Sequence, residues 1–192
     1  MKKIITSCLW ILLAFIMLSC GSASKDPLVT ANTLNKIENL ALERAYVVSL
    51  NTAYPQNSAA SQRVLNSILM PTGNNAARID IAGNNASITV DSNMSTAAGV
   101  PFFGEQRVSG GYNEMDGPFD FNAEIKDYKV ERRDEKITVT YEVINNDGDN
   151  LDIRLDIYEA YSVRAMIIST KRTNMQYDGT FKAILNTEGL DN

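Results

Sequence analysis

Hydrophobic and polar residues alternate along much of the second half of the chain. Within residues 136–144, for example, Ile137 and Val139 share one side of an extended backbone, and Thr138 and Thr140 share the other. A period of two is typical of a β-strand that buries one face and exposes the other. Short polar stretches separate the alternating segments, so consecutive strands are expected to pair as an antiparallel meander. The predicted strands cover residues 123–132, 136–144, 151–158, 163–170 and 176–184.

The first half of the chain begins with a helical pattern. From Asn32 onward, hydrophobic residues such as Leu34 and Ile37 recur at intervals of three and four, which predicts one short amphipathic helix. Asn35 and Glu38 have the spacing of a capping box, which predicts that the helix starts close to them. We expect this helix to pack against the sheet.

Strand and loop patterns follow this helix. The alternation in residues 45–53 predicts a strand that ends at Pro55. Residues 78–81 and 87–91 alternate on either side of Gly-Asn-Asn, which predicts a hairpin. The apolar run 64–70 fits either a strand or a helical turn. Loops are predicted at residues 56–62 and 93–99.

These patterns together predict a mainly β fold, an antiparallel meander with one short N-terminal helix. Periodicity does not decide whether the sheet closes, so a half-barrel, a barrel and a sandwich all remain open. Residues 32–192 contain no long linker, and their number suits a single domain.

The N-terminus has the layout of an export signal. Lys2 and Lys3 provide positive charge, residues 4–18 are almost all apolar, and Ser19 is a small residue at the expected cleavage site. We therefore predict a signal peptide over residues 1–19. The apolar run is shorter than the roughly 20 residues that a transmembrane helix needs, which disfavours a permanent membrane span.

The end of this apolar run, Met17-Leu18-Ser19-Cys20, resembles the lipobox of bacterial lipoproteins. The resemblance implies that Cys20 is linked to diacylglycerol, becomes the new N-terminus and is then acylated with palmitate. Gly21 in place of Asp favours the outer membrane under the sorting rule of enteric lipoproteins. The expected location is the cell envelope, on either its periplasmic or its surface face, and the expected partner is the membrane. The alternative is an ordinary signal peptide with an incidental cysteine.

Composition restricts the chemistry of the remaining chain. The sequence has no histidine, and Cys20 is the only cysteine after residue 19, so imidazole or free-thiolate metal sites and Ser-His-Asp catalysis are excluded. Loss of Lys2 and Lys3 leaves 16 basic against 23 acidic residues, and the resulting net charge of −7 disfavours nucleic acid as a partner. No cofactor or metal is predicted. Residues 20–31 are small and polar, which predicts a flexible spacer.

Two short motifs resemble those of a known family. Residues 100–104, Val-Pro-Phe-Phe-Gly, resemble a Leu-Pro-Tyr-Phe-Gly signature, and residues 175–179, Met-Gln-Tyr-Asp-Gly, resemble a later Ile-Ser-Tyr-Ser-Gly motif. Tyr46 and Pro55 also resemble the family's first strand and its terminating proline. On these residues the chain is similar to the bacterial domain-of-unknown-function family 4251, over about residues 40–185. The resemblance implies a lipoprotein, and it implies no activity and no catalytic residue.

Acidic residues are concentrated around the irregular centre of the chain. A pair of carboxylates at a suitable separation can hydrolyse a glycosidic bond. The simpler interpretation is that these residues are solvated loop positions, as is usual in an acidic protein. The acids in question are Glu105, Glu114, Asp116 and Asp120. Residues 145–150 are also rich in oxygen ligands, but their Asp-Gly pair predicts a hairpin turn rather than a calcium site.

Aromatic residues are dense in the same central region. Exposed together, they form a patch for a ligand or a protein partner; packed inside, they close one end of the sheet. The candidate binding residues are Phe102, Phe103, Tyr112 and Phe119, with Phe121 beside them.

The preferred interpretation is a non-enzymatic cell-envelope lipoprotein whose β domain binds a small ligand, a glycan or an envelope protein near residues 100–121. One alternative is a carboxylate-dependent hydrolase of envelope glycan or lipid. The other is a structural subunit of an envelope assembly.

Overall fold

A computed structural model describes residues 27–104, 117–146 and 148–184 of the chain. The chain divides into two units, Met1–Ala31 and Asn32–Asn192, and every strand of the described residues lies in the second unit. The predicted signal peptide and Cys20 lie outside the described residues, as do Tyr112 and the acids Glu105, Glu114 and Asp116.

Strands dominate the described residues, and two α-helices lie in the first half of the chain. The helices are α1 (Pro27–Glu43) and α2 (Ala59–Leu69). The strands are β1 (Ala45–Pro55), β2 (Ile79–Asp80), β3 (Ser87–Asp91), β4 (Met94–Ala98), β5 (Phe121–Glu124), β6 (Lys126–Arg133), β7 (Lys136–Ile144), β8 (Asn150–Tyr158), β9 (Ser162–Ser169) and β10 (Met175–Ala183).

The strands of the described chain form one antiparallel sheet in the order β5-β4-β3-β1-β10-β9-β8-β7-β6, and β2 also pairs with β1. This sheet curls into a nearly closed barrel, so the predicted mainly β fold is confirmed and the barrel is the architecture adopted. The first long strand pairs with the last, Val48 lying opposite Phe181, and this pairing joins the two halves of the chain.

Strands β7 to β10 confirm the predicted meander. Ile137 and Val139 point into the barrel and are fully buried, as are Ile153 and Leu155 on the neighbouring strand. The predicted segment 123–132 is instead divided between β5 and β6.

That division has a local cause in the backbone between the two strands. Ile125 turns inward and is 6% exposed, while its backbone N–H bonds the carbonyl of Asn93. Asp127 then adopts a left-handed φ of 48°, and the register against β7 shifts between Lys126 and Lys129. The alternating pattern does not reveal a bulge of this kind.

Helix α1 begins at Pro27, five residues before the predicted start, and it buries Leu34 and Ile37 as expected. The predicted capping box at Asn35 and Glu38 is wrong, because both residues lie within the helix, where the backbone is already bonded. Instead, Arg132 of β6 donates hydrogen bonds to Asn35 Oδ1 at 2.6 Å and to Glu38 Oε2 at 2.7 Å.

The predicted hairpin between residues 78–81 and 87–91 is also wrong. Strands β2 and β3 do not pair with each other; both pair with β1, with Asp80 opposite Thr52 and Ser87 opposite Ser49. A 3-10 turn at Ala82–Asn84 separates them along the same edge. The real hairpin joins β3 to β4, so the loop predicted at residues 93–99 is largely a strand.

Residues 56–70, predicted as a loop and an ambiguous apolar run, contain α2. The Ser58 side chain caps this helix by accepting a hydrogen bond from the backbone N–H of Ser61. None of the residues of α2 is buried. Within the described part of the chain, neither helix is long and apolar enough to cross a bilayer.

Candidate functional site

The β-sheet register brings several chain segments together at one end of the barrel. Pro55 at the end of β1 lies opposite Met175 at the start of β10. Met175 in turn lies opposite Ile167 near the end of β9. The connections that leave these strands therefore meet at this end, together with residues 99–104 and 117–120 between β4 and β5. We call this region the motif end of the barrel.

The two family-like motifs contact each other here. Tyr177, from the second motif, donates a hydrogen bond to the carbonyl of Pro101, in the first motif, over 2.8 Å. Its side chain is fully buried, and burial raises the pKa of Tyr177 well above its ordinary value, so the hydroxyl remains a donor at physiological pH. Val100 is also buried, and its carbonyl accepts a hydrogen bond from the Phe119 backbone N–H at 2.8 Å. The first motif, residues 100–104, is thus held by a hydrogen bond from Tyr177 of β10 and by another from Phe119.

Arg172 holds the same segment from the interior. Only 2% of this residue is exposed, and its guanidinium lies 5.2 Å from the ring centroid of Phe102 and 5.1 Å from that of Phe119. Its Nη1 donates to the carbonyl of Gly117 at 3.0 Å. Cation–π stacking strengthens when the cation is removed from water. Arg172 is therefore a structural clamp between two of the predicted binding residues.

A second buried polar group fixes the turn between β7 and β8. The Asp149 carboxylate is fully buried and accepts hydrogen bonds from Ser169 Oγ at 2.6 Å and Thr170 Oγ1 at 2.9 Å. The backbone N–H of Lys171 bonds it as well, at 3.3 Å. The oxygen-rich stretch around Asp149 therefore supports the turn with its carboxylate directed inward.

An apolar groove lies at the motif end, between α2 and the first motif. It encloses about 370 Å³. Its two walls are α2, from which Val64 and Ile68 are 63% and 64% exposed, and the half-buried side chain of Phe103. The groove is lined by Asn57, Ala60, Ser61, Val64, Leu65, Ile68, Phe103 and Gly104.

Asn57 connects the two walls of the groove. Its Nδ2 donates to the carbonyl of Phe103 at 2.7 Å, and its own carbonyl accepts from Gln62 Nε2 at 3.2 Å. Its Oδ1 is buried and has no hydrogen-bond partner among the residues that the structure describes. Asn57 thus sets the width of the groove and leaves one acceptor beside an apolar lining.

Gly104 ends the first motif where a larger residue does not fit. A Cβ at this position would clash with Thr173 Oγ1 and lie 2.5 Å from the Phe102 ring. Real Cβ atoms essentially never approach other atoms this closely, so a larger residue would require the Thr173 and Phe102 side chains to shift. Glycine permits Phe102 to turn inward while Phe103 turns toward the groove.

The predicted binding residues take different positions. Phe103 lines the groove, whereas Phe102 lines a neighbouring depression of about 450 Å³ with Pro101 and Pro118. Phe119 is 1% exposed and belongs to the core. Tyr112 lies outside the described residues.

Helix α2 supplies most of the groove and was missed as a site by sequence reasoning. The available signal was the spacing of Ala60, Val64, Leu65 and Ile68, which places four apolar side chains on one face of a helix.

The electrostatic surroundings of the groove differ from the rest of the chain. The sequence contains no aspartate or glutamate from residue 44 to residue 79, and Arg63 is the only charged residue of α2. The net charge of the whole chain is −5. The α2 wall of the groove is therefore free of acidic residues in an otherwise acidic protein.

The candidate acids are represented in the described residues by a single side chain. Of the four central acids, only Asp120 is described, and its carboxylate accepts a hydrogen bond from the Gly99 backbone N–H at 2.6 Å. No group of three or more His, Cys, Asp or Glu side chains in the described ranges is arranged to hold a metal ion. The motif end thus carries an apolar groove with few polar groups in its lining.

Comparisons with known proteins agree with this fold. A family model described as "Domain of unknown function (DUF4251)" matches residues 29–181. A crystal structure of a DUF4251 family protein from Bacteroides eggerthii DSM 20697 is similar, with a TM-score of 0.53 and 12% sequence identity. The alignment covers 82% of this chain and 92% of that one. Identity this low bears on the fold alone. No curated protein matches the chain.

Proposed function

The chain belongs to the DUF4251 family, and from this premise we propose that it is a non-enzymatic, lipid-anchored protein of the cell envelope that binds a small apolar ligand. The binding site in this proposal is the groove between α2 and Phe103.

The groove itself is the observation that carries the proposal. Its volume of about 370 Å³ falls in the range of small-molecule sites, which is roughly 300–1,000 Å³. Its apolar side chains are exposed to water when no ligand is present, Val64 and Ile68 by more than three-fifths. Covering such surface contributes about 25 cal/mol per Å². A ligand that fills the groove therefore gains affinity mainly from apolar contact.

Asn57 and Arg63 add limited polar selectivity to this site. The Asn57 Oδ1 atom can accept one hydrogen bond if a ligand or a water reaches it. Arg63 is exposed on α2 and favours a ligand that carries a neutral or negative polar end. These features fit an amphiphile better than a sugar, because a glycan needs many paired hydrogen-bonding groups.

Fluorescence titration with N-phenyl-1-naphthylamine, a neutral apolar dye, tests the binding site. The protein is the chain from residue 20 onward with Cys20→Ser, so that no attached lipid occupies the groove. We expect saturable binding that Ile68→Ser weakens about tenfold, since roughly 1.4 kcal/mol of apolar contact corresponds to a factor of ten.

The matched control is Ile144→Ser, which changes an isoleucine that is 47% exposed on β7. We expect this variant to bind the dye like the parent. Equal weakening by both substitutions, or no saturable binding in the parent, would contradict the proposed site.

Membrane anchorage is tested separately through Cys20. We expect radioactive palmitate to label the protein in cells and Cys20→Ser to abolish both the label and sedimentation with membranes. Several acyl chains hold a protein on a bilayer far more firmly than one chain does. A Cys20→Ser protein that is still labelled and membrane-bound would refute the anchor and leave the dye titration unaffected.

A further inference from the structure

We propose that α2 contacts the bilayer surface and that the ligand of the groove is the acyl chain of a membrane lipid. This inference rests on the proposed function, because it names the ligand class and the route by which the ligand reaches the groove.

The exposed face of α2 is the first support for this inference. Val64 and Ile68 are more than three-fifths exposed, and Met70, directly after the helix, is 75% exposed. Val64 and Ile68 lie one helical turn apart and so share one face of a helix with no buried residue, and Met70 lies just beyond its end. Contiguous exposed apolar side chains of this kind mark a surface that another apolar phase covers.

The charge of this region suits a membrane surface as that phase. Helix α2 has no acidic residue, its polar positions are neutral apart from Arg63, and the acid-free stretch continues from residue 44 to residue 79. A helix that lies in the membrane interface combines an apolar face with neutral or basic polar residues, because lipid headgroups are neutral or anionic.

The groove and the exposed face share the same side chains. Val64 and Ile68 line the groove and are also the exposed large hydrophobic residues of α2. An acyl chain that leaves the bilayer beside α2 can therefore enter the groove without crossing a polar barrier. A lipid on Cys20 would keep the domain near the membrane and raise the local concentration of such chains.

A single-tryptophan reporter tests the bilayer contact. The only tryptophan of the sequence is Trp10, so the chain from residue 20 has none. Lipidated protein carrying Met70→Trp is reconstituted into vesicles of phosphatidylcholine and phosphatidylglycerol with brominated acyl chains. We expect at least a twofold quenching of its emission relative to vesicles without bromine.

The control reporter is Tyr161→Trp, which replaces an exposed aromatic residue in the β8–β9 turn. We expect little quenching at this position. Ile68→Trp serves as a second reporter on α2 if Met70→Trp folds poorly. Equal quenching of the α2 and β8–β9 reporters, or none in either, would overturn the bilayer contact.

Competition against the dye tests the ligand class without vesicles. We expect monomeric lysophosphatidylcholine to displace N-phenyl-1-naphthylamine from the Cys20→Ser protein, and glycerophosphocholine, which has the same headgroup and no acyl chain, to leave it bound. If lysophosphatidylcholine did not displace the dye, or if both compounds displaced it equally, the proposal of an acyl-chain ligand would be refuted. Saturable dye binding in that same experiment would leave the proposed function standing.

Discussion

At the scale of single residues, the glycines that end the two motifs differ in what a side chain would meet: side chains at Gly104 and backbone at Gly179. Gly104 lies against Thr173 and the Phe102 ring, and Gly179 lies against the backbone of Ser49 and Leu50 in β1. The register of β1 against β10 shifts between Leu50 and Thr52, and Leu50 is the residue opposite Gly179. The motifs that identify the family thus include residues fixed by packing, which explains how they can mark a fold without marking an activity.

Gly179→Ala is expected to destabilise the protein by about 3 kcal/mol, the upper part of the usual range for overpacking, because the added Cβ meets Ser49 backbone that cannot move aside. Urea denaturation followed by circular dichroism measures the effect. Gly83→Ala is the control, since its Cβ has no atom within 4 Å, and its midpoint should stay close to that of the parent. A Gly179→Ala protein as stable as the parent would show that the strands can separate at little cost.

Tyr177→Phe tests whether the two motifs support each other. The variant keeps the buried ring but leaves the carbonyl of Pro101 without the hydroxyl that bonds it at 2.8 Å. The Pro101 carbonyl is partly buried, so the change removes one hydrogen bond, which typically contributes about 0.5–1.5 kcal/mol, and a loss of about 1 kcal/mol in the free energy of unfolding is expected. Tyr54→Phe is the comparison, because the half-buried Tyr54 hydroxyl bonds the Asp178 carboxylate, which water can solvate. If Tyr54→Phe lowered the free energy of unfolding by as much, the hydrogen bond between the two motifs would contribute no more than the one between Tyr54 and Asp178.

At the scale of elements, burial and not charge attaches α1 to the barrel. Leu34 and Ile37 are at most 1% exposed. Truncating either side chain to alanine is expected to lower the free energy of unfolding by roughly 2–5 kcal/mol. The ion pair of Arg132 with Glu38 joins side chains that are 37% and 29% exposed, and pairs this accessible contribute about 0–1 kcal/mol. The helical spacing of the apolar residues was therefore a sound basis for predicting α1. The Asn35–Glu38 spacing was not, because the same residues also suit a contact with a neighbouring strand.

The pairing of β7 with β8 contains a carboxylate whose ionisation affects stability. Partial burial alone would raise the pKa of Asp156, but hydrogen bonds from Lys136 and Thr138 outweigh it, and the net result is a lowered pKa. Lys136 Nζ lies 2.8 Å from Asp156 Oδ2, and Thr138 Oγ1 lies 2.8 Å from Oδ1. The ionised form is thus favoured in the folded protein more than in the unfolded chain.

The stability contributed by Asp156 should therefore be present above the unfolded-state pKa, near 4, and disappear as the pH falls through the lower folded-state pKa. We expect Asp156→Asn to be less stable than the parent at pH 7, with the difference shrinking steadily below pH 4. Urea midpoints of both proteins across this range measure it. Asp152→Asn on the same strand, whose residue is exposed, is the control. A gap between Asp156→Asn and the parent that widens on acidification would contradict the assigned direction.

At the scale of the whole molecule, local patterns predicted the meander and failed where pairing is long-range. Strands β7 to β10 could be predicted because Ile137, Val139 and their neighbours alternate within segments joined by short turns. The partners of β1 could not, because Val48 lies opposite Phe181 on one side and Ile88 on the other, and no local signal specifies either pairing. The predicted β2–β3 hairpin failed for the same reason, since both segments pair with the opposite edge of β1.

The candidate groove could be predicted only in part. Phe103 was identified from the density of aromatic residues, but the opposite wall depends on α2, whose apolar run fitted a strand as well as a helix. The hydrogen bond from Asn57 to the Phe103 carbonyl spans 46 residues of sequence and sets the distance between the walls. Such a contact depends on the curled sheet, so a groove of this kind is visible only once the nearly closed barrel has been assembled.

Because β1 is the strand that links the two halves of the barrel, weakening it should destabilise the whole molecule and not one part. Val48 is fully buried at the centre of β1, and Val48→Ala is expected to cost about 2 kcal/mol. We expect amide hydrogen exchange to accelerate by a similar factor in β3 and in β9, on opposite sides of β1, as cooperative unfolding requires. Val130→Ala, a half-buried position on edge strand β6, should cost less and affect exchange mainly in β6 and β7. If Val48→Ala accelerated exchange on one side only, the two halves would be separate folding units and the pairing of β1 with β10 would be a late, weak contact.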